Sequence, residues 1–537
     1  MPETRTWQVR WQSAQRSARV AARRAQRSAR TAGRTAHRAA FAASDAARQA
    51  WRAAPRHTRQ TWRLTALSAA TGLAVAVVAV AAAGPWDSGQ RTAERAAAAG
   101  VPDTGGEHHD DGRAPRPVPS APPVLAALSG PAHGAAGPGT APAPTGAGLA
   151  DALAPLLADP ALGPLRTASV LDIAAGRQVF GAEQDEAATP ASTVKLATAV
   201  AALSKLGADH RIDTSVVMGG KDRIVLVGGG DPTLTARAPV PGAGEQPAGL
   251  RALADDTARV LKRRGITKVG LGYDTSAYTG PVEHPIGPNE NLAPVTALMT
   301  DEARLDGSDH GPAPRATDPA GDAAGVFAGL LRQRGITVDG DSGEATAPQR
   351  PDRIATVHSL PLSALVERML TNSDNDIAEA LARQTARASG QPASFDGAAT
   401  AVRDALAAQH LPLAGAVFED GSGLDRGDKV SANLLSHLLL AAAAPDKPDL
   451  RPVVTGLPVA AFTGTLSGRY VGDTAGAGAV RAKTGTLTGV NTLAGTVVDA
   501  DGRLLAFAFM TTGTTDAQAA QKALDRMAST VANCGCR

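Results

Sequence analysis

Two stretches near the C-terminus decide the class of fold: Ala479-Val-Arg-Ala-Lys-Thr-Gly-Thr-Leu-Thr488 and Thr496-Val-Val-Asp-Ala-Asp-Gly-Arg-Leu-Leu-Ala-Phe-Ala-Phe-Met-Thr511. The first alternates with the period of two that a strand requires. The second is a pair of apolar runs separated by Asp499-Ala-Asp-Gly502, residues that suit a tight reversal, and so predicts a hairpin. A helical pattern, Ala517 to Ala532, follows it. Upstream, Thr167 to Ile173 and Gln178 to Phe180 predict two strands around a Gly-containing turn. Ser215 to Val227 predicts another hairpin around Gly219-Gly220, while Thr193 to Leu206 and Leu434 to Ala444 have helical apolar spacing. Hairpins need antiparallel neighbours. The expected fold is therefore mixed α/β (α+β), an antiparallel sheet covered by helices rather than a doubly wound parallel sheet.

The chain has 537 residues, 43% apolar and 20% charged, enough for more than one core and too apolar to be disordered throughout. Its net charge of +3 hides a division. Residues 1–63 carry fifteen Arg against Glu3 and Asp45, which leaves the remainder acidic. Leu64 to Ala83 is free of charge and long enough to cross a bilayer once, and the arginines before it orient the N-terminus inward. The expectation is a basic cytoplasmic arm (1–63), a transmembrane helix (64–83), an Ala/Gly/Pro-rich linker (84–149) and an extracytoplasmic body. Cleavage after Ala79-Val-Ala81 and secretion is the alternative, against which the 63-residue leader is long. No defined nucleic-acid motif accompanies the arginines, so no nucleic-acid partner is expected. Cys534 and Cys536 are the only cysteines, which excludes a disulfide framework and a Cys-rich metal centre.

Three short elements carry chemistry. Ser192-Thr-Val-Lys195 opens an apolar helix, where residues three apart share a face, so a Lys195 with lowered pKa could take the Ser192 proton as that hydroxyl attacks a carbonyl. Lys483-Thr-Gly485-Thr486 lies on the first strand quoted. There Lys483 attracts a substrate carboxylate, Thr484 and Thr486 hydrogen-bond it, and Gly485 lets substrate backbone approach. Among only nine lysines, one Ser-x-x-Lys and one Lys-Thr-Gly occur. Two Ser-x-Asn elements exist. Ser431-Ala-Asn433 precedes a helix and reads as an N-cap; Ser373-Asp-Asn375, in a loop between two helices, is the functional candidate, although a cap would also explain it.

In that order the three elements resemble the signature of serine β-lactamases and penicillin-binding proteins. The 177 residues between Lys195 and Ser373 narrow the resemblance to the D-alanyl-D-alanine carboxypeptidase/endopeptidase branch of low-molecular-mass penicillin-binding proteins, whose members carry domains inserted there. Val227-Gly-Gly-Gly-Asp-Pro-Thr-Leu234, Tyr273-Asp-Thr-Ser276, His358-Ser-Leu-Pro-Leu362, Asp420-Gly-Ser-Gly-Leu424 and Gly464-Thr-Leu466 extend the likeness over about 150 to 535. Asp425 departs from the serine that the family often has there.

The resemblance implies a β-lactamase/transpeptidase-like catalytic domain from 150–212 and 352–537, with 213–351 inserted as one or two small lobes. It implies Ser192 as nucleophile on D-Ala-D-Ala stem peptides and Lys195 as general base, with Lys483 as a second cation disfavouring charge on Lys195. Ser373 would relay a proton to the leaving amine, and Asn375 would hold the substrate amide and orient Lys195. Lys483, Thr484 and Thr486 would bind the terminal carboxylate, and the N–H groups of Ser192 and Thr486 would form the oxyanion hole. It implies no metal or organic cofactor, and β-lactams as inhibitors that acylate Ser192. A β-lactamase, which needs an efficient deacylation base, and a non-catalytic peptidoglycan- or β-lactam-binding module are the competing readings. His210, His284, His310, His410 and His437 have no triad context and are set aside.

Overall fold

The computed structural model describes residues 141–240, 244–473 and 475–536. The arm, the apolar stretch 64–83 and most of the linker lie outside the described residues; no helix among those described is long and apolar enough to cross a membrane.

In chain order the main elements are α1 (Gly146–Leu157), β1 (Leu165–Asp172), β2 (Arg177–Ala182), β3 (Ala187–Ala188), α2 (Lys195–Leu206), β4 (Asp213–Gly220), β5 (Arg223–Val227), α3 (Leu250–Arg263), β6 (Lys268–Asp274), α4 (Pro319–Gln333), β7 (Thr337–Glu344) and β8 (Asp352–His358). There follow α5 (Leu362–Asn372), α6 (Asn375–Ala388), α7 (Phe395–Ala408), β9 (Val430–Ser431), α8 (Ala432–Ala443), the short α9 (Pro452–Thr455), β10 (Val480–Leu487), β11 (Val490–Val498), β12 (Leu504–Thr512) and α10 (Ala517–Ala532).

The first sheet runs β10-β11-β12-β1-β2, antiparallel throughout. Its strands alternate between two cores, because successive side chains point to opposite faces. Leu505, Phe507 and Phe509 join Val170, Leu493 and Val497 under α1 and α10. The intervening Ala506, Ala508 and Met510 join Leu171 and Ala494 against α2, α5, α6, α7 and α8. Small residues on that second face let the helices sit close, and α2 is buried along nearly its whole length between the sheet and its neighbours. Both faces being covered, the central strands read as continuous apolar runs.

The second sheet, β7-β6-β5-β4-β8, is mixed: β4 pairs antiparallel with β5 and β8, while β5, β6 and β7 are parallel. Parallel pairing requires crossovers, and α3 and α4 provide them, burying Leu253, Leu261, Phe327 and Leu331 on the sheet. The strand Asp352–His358 pairs with β4, so this sheet closes at His358 and not at the expected 351/352 boundary. Residues 275–318 carry no strand or helix beyond a single turn at Asp301–Ala303, and pack against the start of α7 through Tyr278, Leu292, Val295, Ala393 and Phe395. Cys534 and Cys536 are bonded to each other at the C-terminus.

Candidate active site

Ser192 stands in the tight turn Ala191–Val194 that runs directly into α2, and Ala191 takes a left-handed φ of 48° to make the entry. Lys195 is the first residue of α2, one turn on, so its Nζ returns to Ser192 Oγ at 3.0 Å. Two acceptors hold the rest of the ammonium: Asn375 Oδ1 at 2.7 Å and the Ser422 carbonyl at 2.5 Å. The residue is wholly buried.

Burial lowers the Lys195 pKa to about 8, against the opposing pull of Asp420, Glu379, Asp374 and Asp428. Lys483, also wholly buried, donates to Ser373 Oγ at 2.8 Å and the Thr484 carbonyl at 2.7 Å. Its pKa is driven well below the usual lysine value, first by burial and then by repulsion from Lys195. Burial is the main cause for both lysines; acids around Lys195 partly offset it, and repulsion between the two cations adds to it.

Asp374, not Ser373, caps α6, accepting from the Ile377 N–H at 3.1 Å. That frees the flanking side chains: Ser373, at φ 59° where α5 ends, meets Lys483, and Asn375 meets Lys195. The Asn375 amide is oriented by its other end, Nδ2 donating to the Asn291 carbonyl of the inserted region at 2.9 Å. Ser431 does cap its helix, accepting from the Leu434 N–H at 3.0 Å.

A cleft of about 610 Å³ opens on this cluster, lined by Ser192, Ser373, Asn375, Leu424, Thr465 and Thr486 together with Asn291, Arg304 and His310 from the inserted region. Thr486 is exposed on the edge strand β10, and Thr484 Oγ1 bonds Thr465 Oγ1 at 2.9 Å. Gly485 has a different reason from the one expected. A Cβ there would stand 2.1 Å from Thr492 Oγ1 and 2.6 Å from the Pro190 carbonyl, so glycine lets β10 press against the turn that carries Ser192. Gly423, at φ 82°, does the same from the other side, where a Cβ would meet the Ala191 carbonyl at 2.0 Å.

The sequence missed the supporting shell. Asp420-Gly-Ser-Gly-Leu424 was visible as a motif without a role, and nothing in it announced that the Ser422 carbonyl would hold Lys195. Two buried groups, His284/Glu379/Asp420 and Glu302/Asp374/Asp376, bring potential metal-ligating atoms together. Most of their oxygens are engaged, by Arg304 and Arg368 on Glu302, Arg315 on Asp376, and backbone N–H groups on Asp420 and Glu379, while Asp374 Oδ2 and Glu379 Oε2 have no hydrogen-bond partner among the described residues.

A family model described as D-Ala-D-Ala carboxypeptidase 3 (S13) matches residues 149–308 and 304–534. The chain belongs to this family. The carboxypeptidase is 37% identical over 444 residues to a carboxypeptidase of Mycobacterium tuberculosis, covering 80% of this chain and 92% of that one. It is 30% identical over 447 residues to the D-alanyl-D-alanine carboxypeptidase of an Actinomadura strain, covering 67% and 80%. Its fold is that of penicillin binding protein 4 from Haemophilus influenzae, with TM-score 0.58 and 24% identity over 70% of this chain and 97% of that one; the same protein has been solved in complex with a β-lactam.

Proposed function

We propose that this D-Ala-D-Ala carboxypeptidase works through an acyl-enzyme on Ser192, formed on peptidoglycan stem peptides and equally on β-lactams. The carrying observation is the Lys195 Nζ held 3.0 Å from Ser192 Oγ with its pKa lowered to about 8, a base placed on its nucleophile at the floor of the cleft. Ser192 attacks the carbonyl of the penultimate residue and its proton passes to neutral Lys195. Charge developing on the carbonyl oxygen meets the backbone N–H groups of Ser192 and Thr486. Ser373, joined to Lys483, returns a proton to the departing D-Ala amine, and water then releases the shortened peptide.

The terminal carboxylate sits on Thr486, Thr465 and Thr484, with Lys483 beneath them as the charge that answers it. A bound carboxylate supplies the opposite charge that buried Lys483 otherwise lacks, and so favours its protonated form. A penicillin presents a strained amide and a carboxylate to the same groups. The complexed relative supports this reading. Release of the drug is slow in this reading, because the only acid lining the cleft among the described residues is Asp374, which is buried and whose Oδ1 caps α6. An efficient β-lactamase needs a base there. The apolar stretch 64–83 anchors the enzyme, with the catalytic body on the outer side of the membrane where peptidoglycan lies.

Intact-mass analysis of the full chain mixed with a penicillin tests the assignment. One lasting drug adduct on the parent and none on Ser192→Ala is expected. An adduct on folded Ser192→Ala, or rapid drug turnover without an adduct, overturns it.

A further inference from the structure

Residues 275–318 form a long segment of the inserted lobe with almost no regular structure, and loops of that length inside a compact unit are uncommon unless they have a task. Its buried histidine, His284, reaches into the catalytic unit. The ring Nδ1 accepts from the Ile286 N–H at 3.2 Å, so the neutral ring carries its proton on Nε2, which donates to Asp420 Oδ2 at 3.0 Å. The ring stands edge-on to Phe395, centroids 5.2 Å apart, and its side chain is 2% exposed. Packing and both nitrogens therefore fix its orientation.

Asp420 is the hub of the next shell. Its Oδ1 accepts from the N–H groups of Ser422 at 2.9 Å and Gly423 at 2.5 Å, and its Oδ2 from that of Asp425 at 2.7 Å. Glu379 of α6 holds the Gly421 N–H at 3.0 Å. Together these groups give the 420–425 loop one shape. The product of that shape is the Ser422 carbonyl 2.5 Å from Lys195 Nζ and the Gly423 backbone against the peptide that precedes Ser192. His284, Glu379, Asp420 and Ser422 are all buried, so losing the His284 donor leaves a polar atom of Asp420 stranded rather than one that water can serve.

We infer that His284 is a positioning residue for acylation: by holding the Asp420 carboxylate it fixes the loop whose Ser422 carbonyl aims Lys195 at Ser192. The inserted lobe is thereby part of the catalytic arrangement and not only a wall of the cleft. The inference rests on the assignment of Lys195 as the base. His284 touches no substrate and is outside the cleft lining. Its loss should act on the chemical step and spare the initial non-covalent complex.

The experiment separates penicillin binding from acylation by following adduct formation against drug concentration, for the full-length parent, His284→Phe and His284→Gln. Phenylalanine keeps the ring contact with Phe395 and removes the donor; glutamine offers a neutral N–H at nearly the position of Nε2. The acylation rate constant should fall about 10–100-fold in His284→Phe, the scale of an ångström of misplacement at a catalytic group. The dissociation constant of the first complex should stay unchanged, and glutamine should restore most of the rate at an equal thermal midpoint. If His284→Phe does not fold, His284→Asn against His284→Gln carries the same comparison, since the shorter amide cannot reach Asp420. A parental rate in His284→Phe, glutamine no better than phenylalanine, or a change confined to the first complex overturns the inference. Ser192→Ala and Lys195→Ala run alongside: if either acylates normally, the underlying mechanism is wrong. If both are inert while His284→Phe is as fast as the parent, only the role of His284 is lost.

Discussion

The depressed Lys195 pKa has a direct kinetic consequence, and pH is the perturbation that exposes it. The base is active only without its proton. With a pKa of about 8, Lys195 is neutral in roughly one molecule in a hundred at pH 6, one in eleven at pH 7 and half at pH 8. An ordinary lysine at 10.5 would be neutral about three hundred times less often at pH 7, a difference on the order of 3 kcal/mol. The second-order rate constant for acylation by a penicillin, measured by adduct formation from pH 5.5 to 9.5, should therefore rise about tenfold per unit below pH 7 and level off above about 8.5. The sign is set by Lys195 acting as a base: protonation on the acid side removes it, and no gain comes from lowering the pH. A flat profile over this range, a midpoint near 10.5, or a rate that falls as pH rises through 8 would refute the argument that burial prepares Lys195 for its task.

Three further outcomes follow from the packing around the site. Glu379→Gln removes one of the acids that support the charged form of Lys195, so the midpoint of the same profile should move to lower pH, and a midpoint moved upward contradicts the electrostatics. Gly485→Ala forces a methyl against Thr492 Oγ1 and the Pro190 carbonyl; it should cost about 1–3 kcal/mol in thermal or denaturant unfolding and slow acylation by pushing β10 off the Ser192 turn. Arg315→Ala leaves the Asp376 carboxylate buried without its guanidinium, 2.8 Å away in the parent. Unfolding by denaturant should show a loss of about 3–5 kcal/mol, as for one partner removed from a buried pair.

Most of the regular structure was legible because its patterns are local. The α10 range, the β11–β12 hairpin and the alternation of β10 follow from period and turn residues alone, and each sits where its pattern placed it. The boundary of the inserted lobe was not legible, since β8 earns its place by pairing with β4, more than a hundred residues earlier, and no local pattern records a partner at that distance. The same limit hid His284. A single histidine beside a proline carries no sign that an aspartate 136 residues later will meet it.

The sequence by itself determined which chemical groups are present and in what order: the Ser192/Lys195 pair on one helical turn, Ser373-Asp-Asn375 between two helices, and Lys483-Thr-Gly485 on an alternating strand. Those spacings are set by helix rise and strand pleat, which act over a few residues. Tertiary structure decided what the groups can do. It buried both lysines and so lowered their proton affinity, chose Asp374 over Ser373 as the helix cap, and turned the Asn375 amide by an acceptor from the inserted region. Proton affinity depends on the dielectric and the charges gathered around a site, and these come from segments that only folding brings together.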